Sequence, residues 1–125
     1  MTTIAVAEAW LEAYLRAWNS NEPRDIRALF TEDAVYLTAP FDVPRVGHEA
    51  IVSGWIEDQD QPGDFTFVLT GAGIRVAGDE AFIEGQTDYA EGRVYANLWV
   101  VALAPDGRAT AFTEWYMRHP VGDEA

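Results

Sequence analysis

AFIEGQTDYAEGRVYANLWVVALAPDGRATAFTEWYMR, residues 81–118, holds three β-branched and aromatic runs, AFIEGQTDY (81–89), VYANLWVVAL (94–103) and ATAFTEWYMR (109–118). Glu91-Gly92 and Pro105-Asp106-Gly107 separate them. Runs of this composition and length, bounded by residues that accept tight backbone geometry, predict strands joined by short turns. Short polar connections favour an antiparallel meander. FTFVLT (65–70) reads as a fourth strand upstream, with Gly78-Asp79 as a further turn. Gly71-Ala72-Gly73 lies between β-like segments, so it predicts a bend or bulge rather than a phosphate-binding loop, which needs a helix N-terminus after it.

Working back from this block, the polar stretch EDQDQPGD (57–64) reads as a loop, and everything before it is mainly helical in pattern. Val6, Trp10, Tyr14 and Trp18 form an apolar stripe at helical spacing, with Leu11 and Leu15 beside it and Glu8, Glu12 and Arg16 opposite. Asn19-Ser20-Asn21 stops this helix. Asn21 is expected to cap a second one that carries Pro23 in its first turn and buries Ile26, Leu29 and Phe30. Ala34 to Leu37 is a short strand candidate ended by Pro40. A third helix is expected from near Gly47, with Ile51 and Trp55 facing inward. Helices followed by an antiparallel sheet predict an α+β fold in which the helices cover one sheet face.

The later strands carry large apolar groups on both faces. On 94–103, Leu98 and Val100 alternate with Tyr95, Trp99 and Val101. The second face therefore needs cover too, by curling over a cavity or by a partner subunit.

The 125 residues suit one domain spanning 1–125 with a real hydrophobic core. There is no cysteine, which excludes disulfides, thiol nucleophiles and thiolate metal sites. A formal charge of −13 repels phosphate backbones and anionic lipid, so neither nucleic acid nor membrane is expected as a partner. No basic, apolar leader and no run of spanning length is visible, and a cytoplasmic protein is expected.

EAYLRAWNSNEPRDIRALFTEDAVYLTAP, GHEAIVSGW and the final FTEWYMRHP together resemble the SnoaL-like polyketide cyclase group of the nuclear-transport-factor-2-like superfamily. That resemblance implies a strongly curved antiparallel or mixed sheet wrapped round the N-terminal helices, a cone-shaped α+β barrel with an internal pocket, often in a homodimer. The fold hosts cyclases, isomerases, epoxide hydrolases, dehydratases and non-catalytic binding domains. Compared with ketosteroid isomerase of the same superfamily, the oxyanion-hole tyrosine falls on Tyr14. Its general-base aspartate falls on Thr38, whose hydroxyl cannot take a proton from carbon near neutral pH. Its second oxyanion-hole acid falls near Asn97 to Trp99, where no acid stands. Steroid isomerisation by that machinery is therefore rejected.

Several residues are candidates for chemistry. Phe82, Glu84, Gln86 and Asp88 share one face of their strand, and Phe112, Glu114, Tyr116 and Arg118 share one face of theirs. If those faces line a cavity, Glu84 and Glu114 are the preferred acid and base, with Arg118 as a charge partner. The alternative is a ladder of charges on an exposed face. Tyr14 is either a carbonyl-polarising donor or a core aromatic with a satisfied hydroxyl. Trp18, Tyr36, Trp55, Trp99 and Trp115 either wall a site for a ring-shaped ligand or fill the core. His48 suits a capping or loop contact, and His119 needs a C-terminal tail over the pocket mouth before it can carry protons. Two such distant histidines lack metal-ligand spacing, and no metal or other cofactor is expected.

Three functions stay open. The first is a cofactor-independent proton-transfer enzyme of isomerase, cyclase or hydratase/hydrolase type acting on a small apolar or cyclic substrate. The others are a ligand-binding domain without turnover and a dimeric assembly domain.

Overall fold

Thr3 begins the first helix: its extended backbone and a hydroxyl accepting from the Val6 amide (3.2 Å) make an N-cap. Helix α1 (Ile4–Ser20) buries Ala7, Trp10, Leu11, Tyr14 and Ala17 along the predicted stripe. It ends where Asn21 adopts φ 54° and returns its amide to the Ala17 carbonyl. Asn21 is thus the C-cap of α1, not the expected N-cap of the next helix. Glu22 takes that place with no side-chain cap bond. The left-handed conformation turns the Asn21 amide group elsewhere, towards Asp60 and Trp55.

The computed structural model describes residues 1–120. After α1 come α2 (Pro23–Arg27), β1 (Phe30–Leu37), β2 (Arg45–Val46), α3 (Gly47–Glu57), β3 (Phe65–Ala77), β4 (Glu80–Tyr89), β5 (Val94–Leu103) and β6 (Ala109–Arg118). Phe30 is buried as expected but already belongs to β1, which starts upstream of the predicted strand. The meander β3 to β6 is antiparallel throughout, while β1 lies parallel to β6, pairing Tyr36 with Phe112.

The sheet order is β2-β1-β6-β5-β4-β3, so the sheet is mixed and open. This corrects the strongly curved cone with an internal pocket that the resemblance implied. Closure requires the two edge strands to pair. Here β2 has two residues before the chain enters α3, too few backbone groups to continue the ladder towards β3. The helices instead lie over one face of an open sheet, and its recesses open between helices, strands and loop.

In β3 the register shifts between Leu69 and Ile74, at Gly71 (φ 56°) and Gly73 (φ 67°), as the glycines predict. The bulge changes which parity faces the helices: Phe67 packs on the core before it, Ile74 and Val76 after it. Gly85 on β4 leaves the space that the Phe67 ring fills, since any Cβ there would collide with it.

The covered face carries Ala81, Ile83, Trp99, Val101 and Phe112, all at most 1% exposed. Phe112 stacks on Tyr14 (5.6 Å between centroids, 9°) and on Tyr36 (4.9 Å, 7°), joining helix, sheet and β1 in one aromatic layer. Replacing Phe112 by Ala should lower unfolding free energy by about 3–5 kcal/mol through lost burial and a residual cavity. Urea denaturation checks this, and a loss below about 1 kcal/mol would show that the layer does not anchor the core.

Candidate functional site

Glu114 is the acid that the fold turns inward. In β6 it shares parity with buried Phe112, and the register pairs it with Trp99 on β5. Its Oε2 accepts from Asn97 Nδ2 (2.5 Å) and from Trp99 Nε1 (3.0 Å). Asn97 is itself oriented by Thr87, whose hydroxyl donates to its Oδ1 at 2.7 Å, and Thr87 and Asn97 are buried. All protein hydrogen bonds to the carboxyl thus go to one oxygen, leaving Oε1 without a protein donor among the described residues. Burial pushes the Glu114 carboxyl above the usual carboxylate range, with the Trp99 and Asn97 bonds opposing that shift only in part.

Across the recess, the Tyr14 and Tyr36 hydroxyls are 3.2 Å apart. Burial raises both phenol pKa values, and the nearby Glu114 charge adds to this in each case. Both phenols are therefore protonated at neutral pH. When one donates to the other, the acceptor keeps a proton of its own for a third group. Tyr14 is also enclosed by Trp10, Trp18, Trp55, Trp99 and Phe112, which hold its ring and aim its hydroxyl.

The recess consists of two adjoining hollows of about 220 and 170 Å³ that share Tyr14, Trp18, Tyr89 and Glu114. The first adds Thr87, Arg93, Tyr95, Asn97, Trp99 and Tyr116, and the second adds Tyr36, Thr38, Arg45, Trp55, Asp58, Gln59 and Asp60. The fold thus gathers Tyr14, Trp18, Tyr36, Thr38, Trp55, Asn97, Trp99, Glu114 and Tyr116 from among the sequence candidates. Where ketosteroid isomerase's second acid was expected, Asn97 and Trp99 are donors to an acid on the next strand.

Glu84 lies on the opposite side of the sheet. The register sets Glu84 beside Leu98 and Leu98 beside Trp115, all on the face the helices leave uncovered. Its carboxylate is 3.5 Å from the Arg75 guanidinium in an exposed pair. Asp88 is also exposed and accepts from Gln86. Arg118 stands opposite Tyr95 at the end of β6 and lines neither hollow, although Tyr95 lines the first. Glu84 and Glu114 therefore do not converge: alternation along β4 turns Ile83 and Thr87 inward and Glu84 outward.

His48 Nε2 is 2.7 Å from the Phe30 carbonyl oxygen, so it ties the first turn of α3 to the start of β1 rather than making the expected capping or loop contact. The His119 amide donates to the Val94 carbonyl, and a tail over the mouth would lie outside the described residues. Among the described residues, no group of three His, Asp or Glu side chains is placed to hold a metal ion.

Sequence reasoning missed Tyr89, Arg93 and Asp60. Tyr89 was visible in principle, since it shares parity with Ile83 and Thr87. Asp60 sits in a polar loop whose pattern carries no signal, yet its Oδ2 accepts from Trp18 Nε1 (3.0 Å) and from Tyr89 Oη (3.2 Å). Arg93 rests over the Tyr89 ring, 4.5 Å from its centroid, and pairs with Glu91.

Residues 11–119 match the model of the SnoaL-like domain. The chain belongs to the SnoaL-like domain family. Its fold is also similar to those of several solved structures. One is an isomerase of the SnoaL-like family, provisionally so assigned, from Agrobacterium tumefaciens, at 20% identity over 91% of this chain and 99% of that one, with TM-score 0.69. Another, provisionally assigned as a ketosteroid isomerase, is from Kribbella flavida, at 17% identity over 90% of this chain and 78% of that one, with TM-score 0.69. An NTF-2 like protein of unknown function from Burkholderia xenovorans has 14% identity over 90% of this chain and 83% of that one, with TM-score 0.69. At these identities the likeness is one of fold. No curated protein matches the sequence. No helix among the described residues is long and apolar enough to cross a membrane.

The raised Glu114 pKa sets a stability test. A carboxyl that binds its proton more tightly when folded contributes stability below its unfolded pKa, and loses that contribution as pH rises through the folded value. Glu114→Gln keeps the shape and removes the titration. The melting temperature of the wild type minus that of Glu114→Gln should fall as pH rises from the ordinary carboxylate range and level off above the raised value. A difference that climbs over this range would mean that the carboxylate is stabilised by its donors more than burial penalises it.

Proposed function

We propose that the protein is a cofactor-independent proton-transfer enzyme acting on a small cyclic or apolar carbonyl compound. The observation that carries this reading is one carboxyl oxygen, Glu114 Oε1, left without a donor among the described residues in an aromatic recess that also holds the Tyr14–Tyr36 hydroxyl pair. An acid with a raised pKa is suited to exchanging protons with carbon acids near neutral pH. Glu114 takes a proton from the carbon next to the substrate carbonyl, and a tyrosine hydroxyl donates to the oxygen on which negative charge develops. Returning the proton to a different carbon gives isomerisation, and attack by the enolate on a second carbonyl gives cyclisation. Asn97 and Thr87 act as positioning residues, because they orient the carboxyl without lining up with the reacting bond.

Deuterium incorporation at the α-carbon of cyclohexanone in D₂O, followed by NMR, tests this directly. Glu114→Gln should slow protein-catalysed exchange by about a hundredfold or more, and Tyr14→Phe by roughly ten- to a hundredfold. Exchange no faster than in buffer, with ligand still bound, would leave the protein as a binding domain without turnover. Exchange unaffected by Glu114→Gln would remove Glu114 from the chemistry.

A homodimer is the assembly we infer for the uncovered sheet face. Leu98, Trp115 and Met117 are 39%, 52% and 75% exposed there, and with Phe82 they line a largely apolar hollow of about 1070 Å³. A second copy of the same face would cover these groups by two-fold symmetry. Sedimentation equilibrium should give a dimer for the wild type and a folded monomer for Leu98→Glu. A monomeric wild type at micromolar concentration would overturn this assembly.

A further inference from the structure

A single carboxylate bridges two of the four residues that the hollows share. Trp18 and Tyr89 line both hollows, and Asp60 Oδ2 joins them by accepting from the Trp18 indole (3.0 Å) and the Tyr89 hydroxyl (3.2 Å). The loop that carries Asp60 is anchored at its base. Asn21 Nδ2 donates to the Asp60 backbone carbonyl at 2.7 Å, and Asn21 Oδ1 accepts from Trp55 Nε1 at 3.1 Å. Trp18 is held on its other side by Phe65, stacked at 3.8 Å and 17°. The bridge therefore joins three elements, α1, the 58–64 loop and β4, across the wall between the hollows.

Size follows from this division. An apolar cavity of roughly 150 Å³ accommodates a benzene ring. The two hollows, about 220 and 170 Å³, are each of that order. Merged, they would accept a much longer ligand, with Glu114 reachable from both sides.

We propose that Asp60, by bridging Trp18 and Tyr89, is the specificity-determining residue of the cleft and restricts its substrates to single-ring carbonyl compounds, excluding those with three or more fused rings. This deepens the reading of the cleft as a proton-transfer site and rests on it. Asp60 does not touch the reacting atoms. It acts by holding the partition closed.

Phenol and 2-phenanthrol serve as probes, being planar hydroxylated analogues of one-ring and three-ring enols. Binding is read from the ¹⁵N–¹H resonance of the Trp99 indole, which donates to Glu114 and is untouched by the substitutions. Wild type should show saturable binding of phenol and no saturable binding of 2-phenanthrol. In Asp60→Ala the affinity ratio of 2-phenanthrol to phenol should rise by at least about tenfold, with phenol itself changed by no more than about threefold. Asn21→Gly provides a second route if Asp60→Ala fails to fold. Glycine keeps the left-handed backbone at this position while removing the tether to Asp60, and the ratio should move in the same direction. Phenol binding with the same ratio in all three proteins, or saturable 2-phenanthrol binding to wild type, overturns the role of Asp60 and leaves the proton-transfer reading intact. No shift at Trp99 with either probe overturns both.

Discussion

The Tyr14 ring is the point at which helix, sheet and cleft are fixed relative to one another. It lies 4.7 to 6.0 Å from the rings of Trp10, Trp18, Trp55, Trp99 and Phe112, contributed by α1, α3, β5 and β6. Aromatic groups of this size dominate core energetics and also carry geometric preferences, so the cluster sets positions as well as stability. Its hydroxyl has to meet a partner because the ring is buried, and Tyr36 is that partner. The requirement that a buried phenol be satisfied brings two hydroxyl groups to the wall of a recess, with one proton used between them and one left over. A phenylalanine at either position would keep the ring and remove the hydroxyl pair.

Glu114 shows the opposite balance. A carboxyl in an aromatic recess resists ionisation, while two N–H donors favour it, and burial wins by enough to raise its pKa. The donors concentrate on Oε2, which holds the group in one orientation and leaves Oε1 without a protein donor among the described residues. Glu84 lies on the other face of the same sheet, exposed, paired with Arg75 and turned away from the helices.

The open sheet gives the molecule two unlike faces. One is covered by α1 and α3 and bears the cleft; the other keeps Leu98, Trp115 and Met117 in solvent in the isolated chain. The bulge at Gly71 and Gly73 lets one long strand serve the covered face along its whole length, by changing parity where its two halves would otherwise disagree. Asp60 links the polar loop to this frame through three hydrogen bonds, so a loop becomes part of the cleft wall.

The amino-acid sequence by itself determined the order of the helices and of every strand except the two-residue β2, the Trp10–Tyr14–Trp18 stripe, the turns between residues 81 and 118 and the bulge at the glycines, because periodicity and turn chemistry are local. It also determined that thiol chemistry is absent, and its family likeness brought Tyr14 forward. Only the tertiary structure decided which face of each strand is covered. On both β4 and β6 large apolar groups occupy both parities, so alternation alone could not separate Glu84 from Glu114. The cross-strand register did, setting Glu114 beside Trp99 and Glu84 beside Leu98. Tertiary structure likewise left the sheet open, because β2 is too short to close it, and recruited Asp60 from a loop. A loop residue's partners are set by where distant elements come to rest, and no local pattern records that.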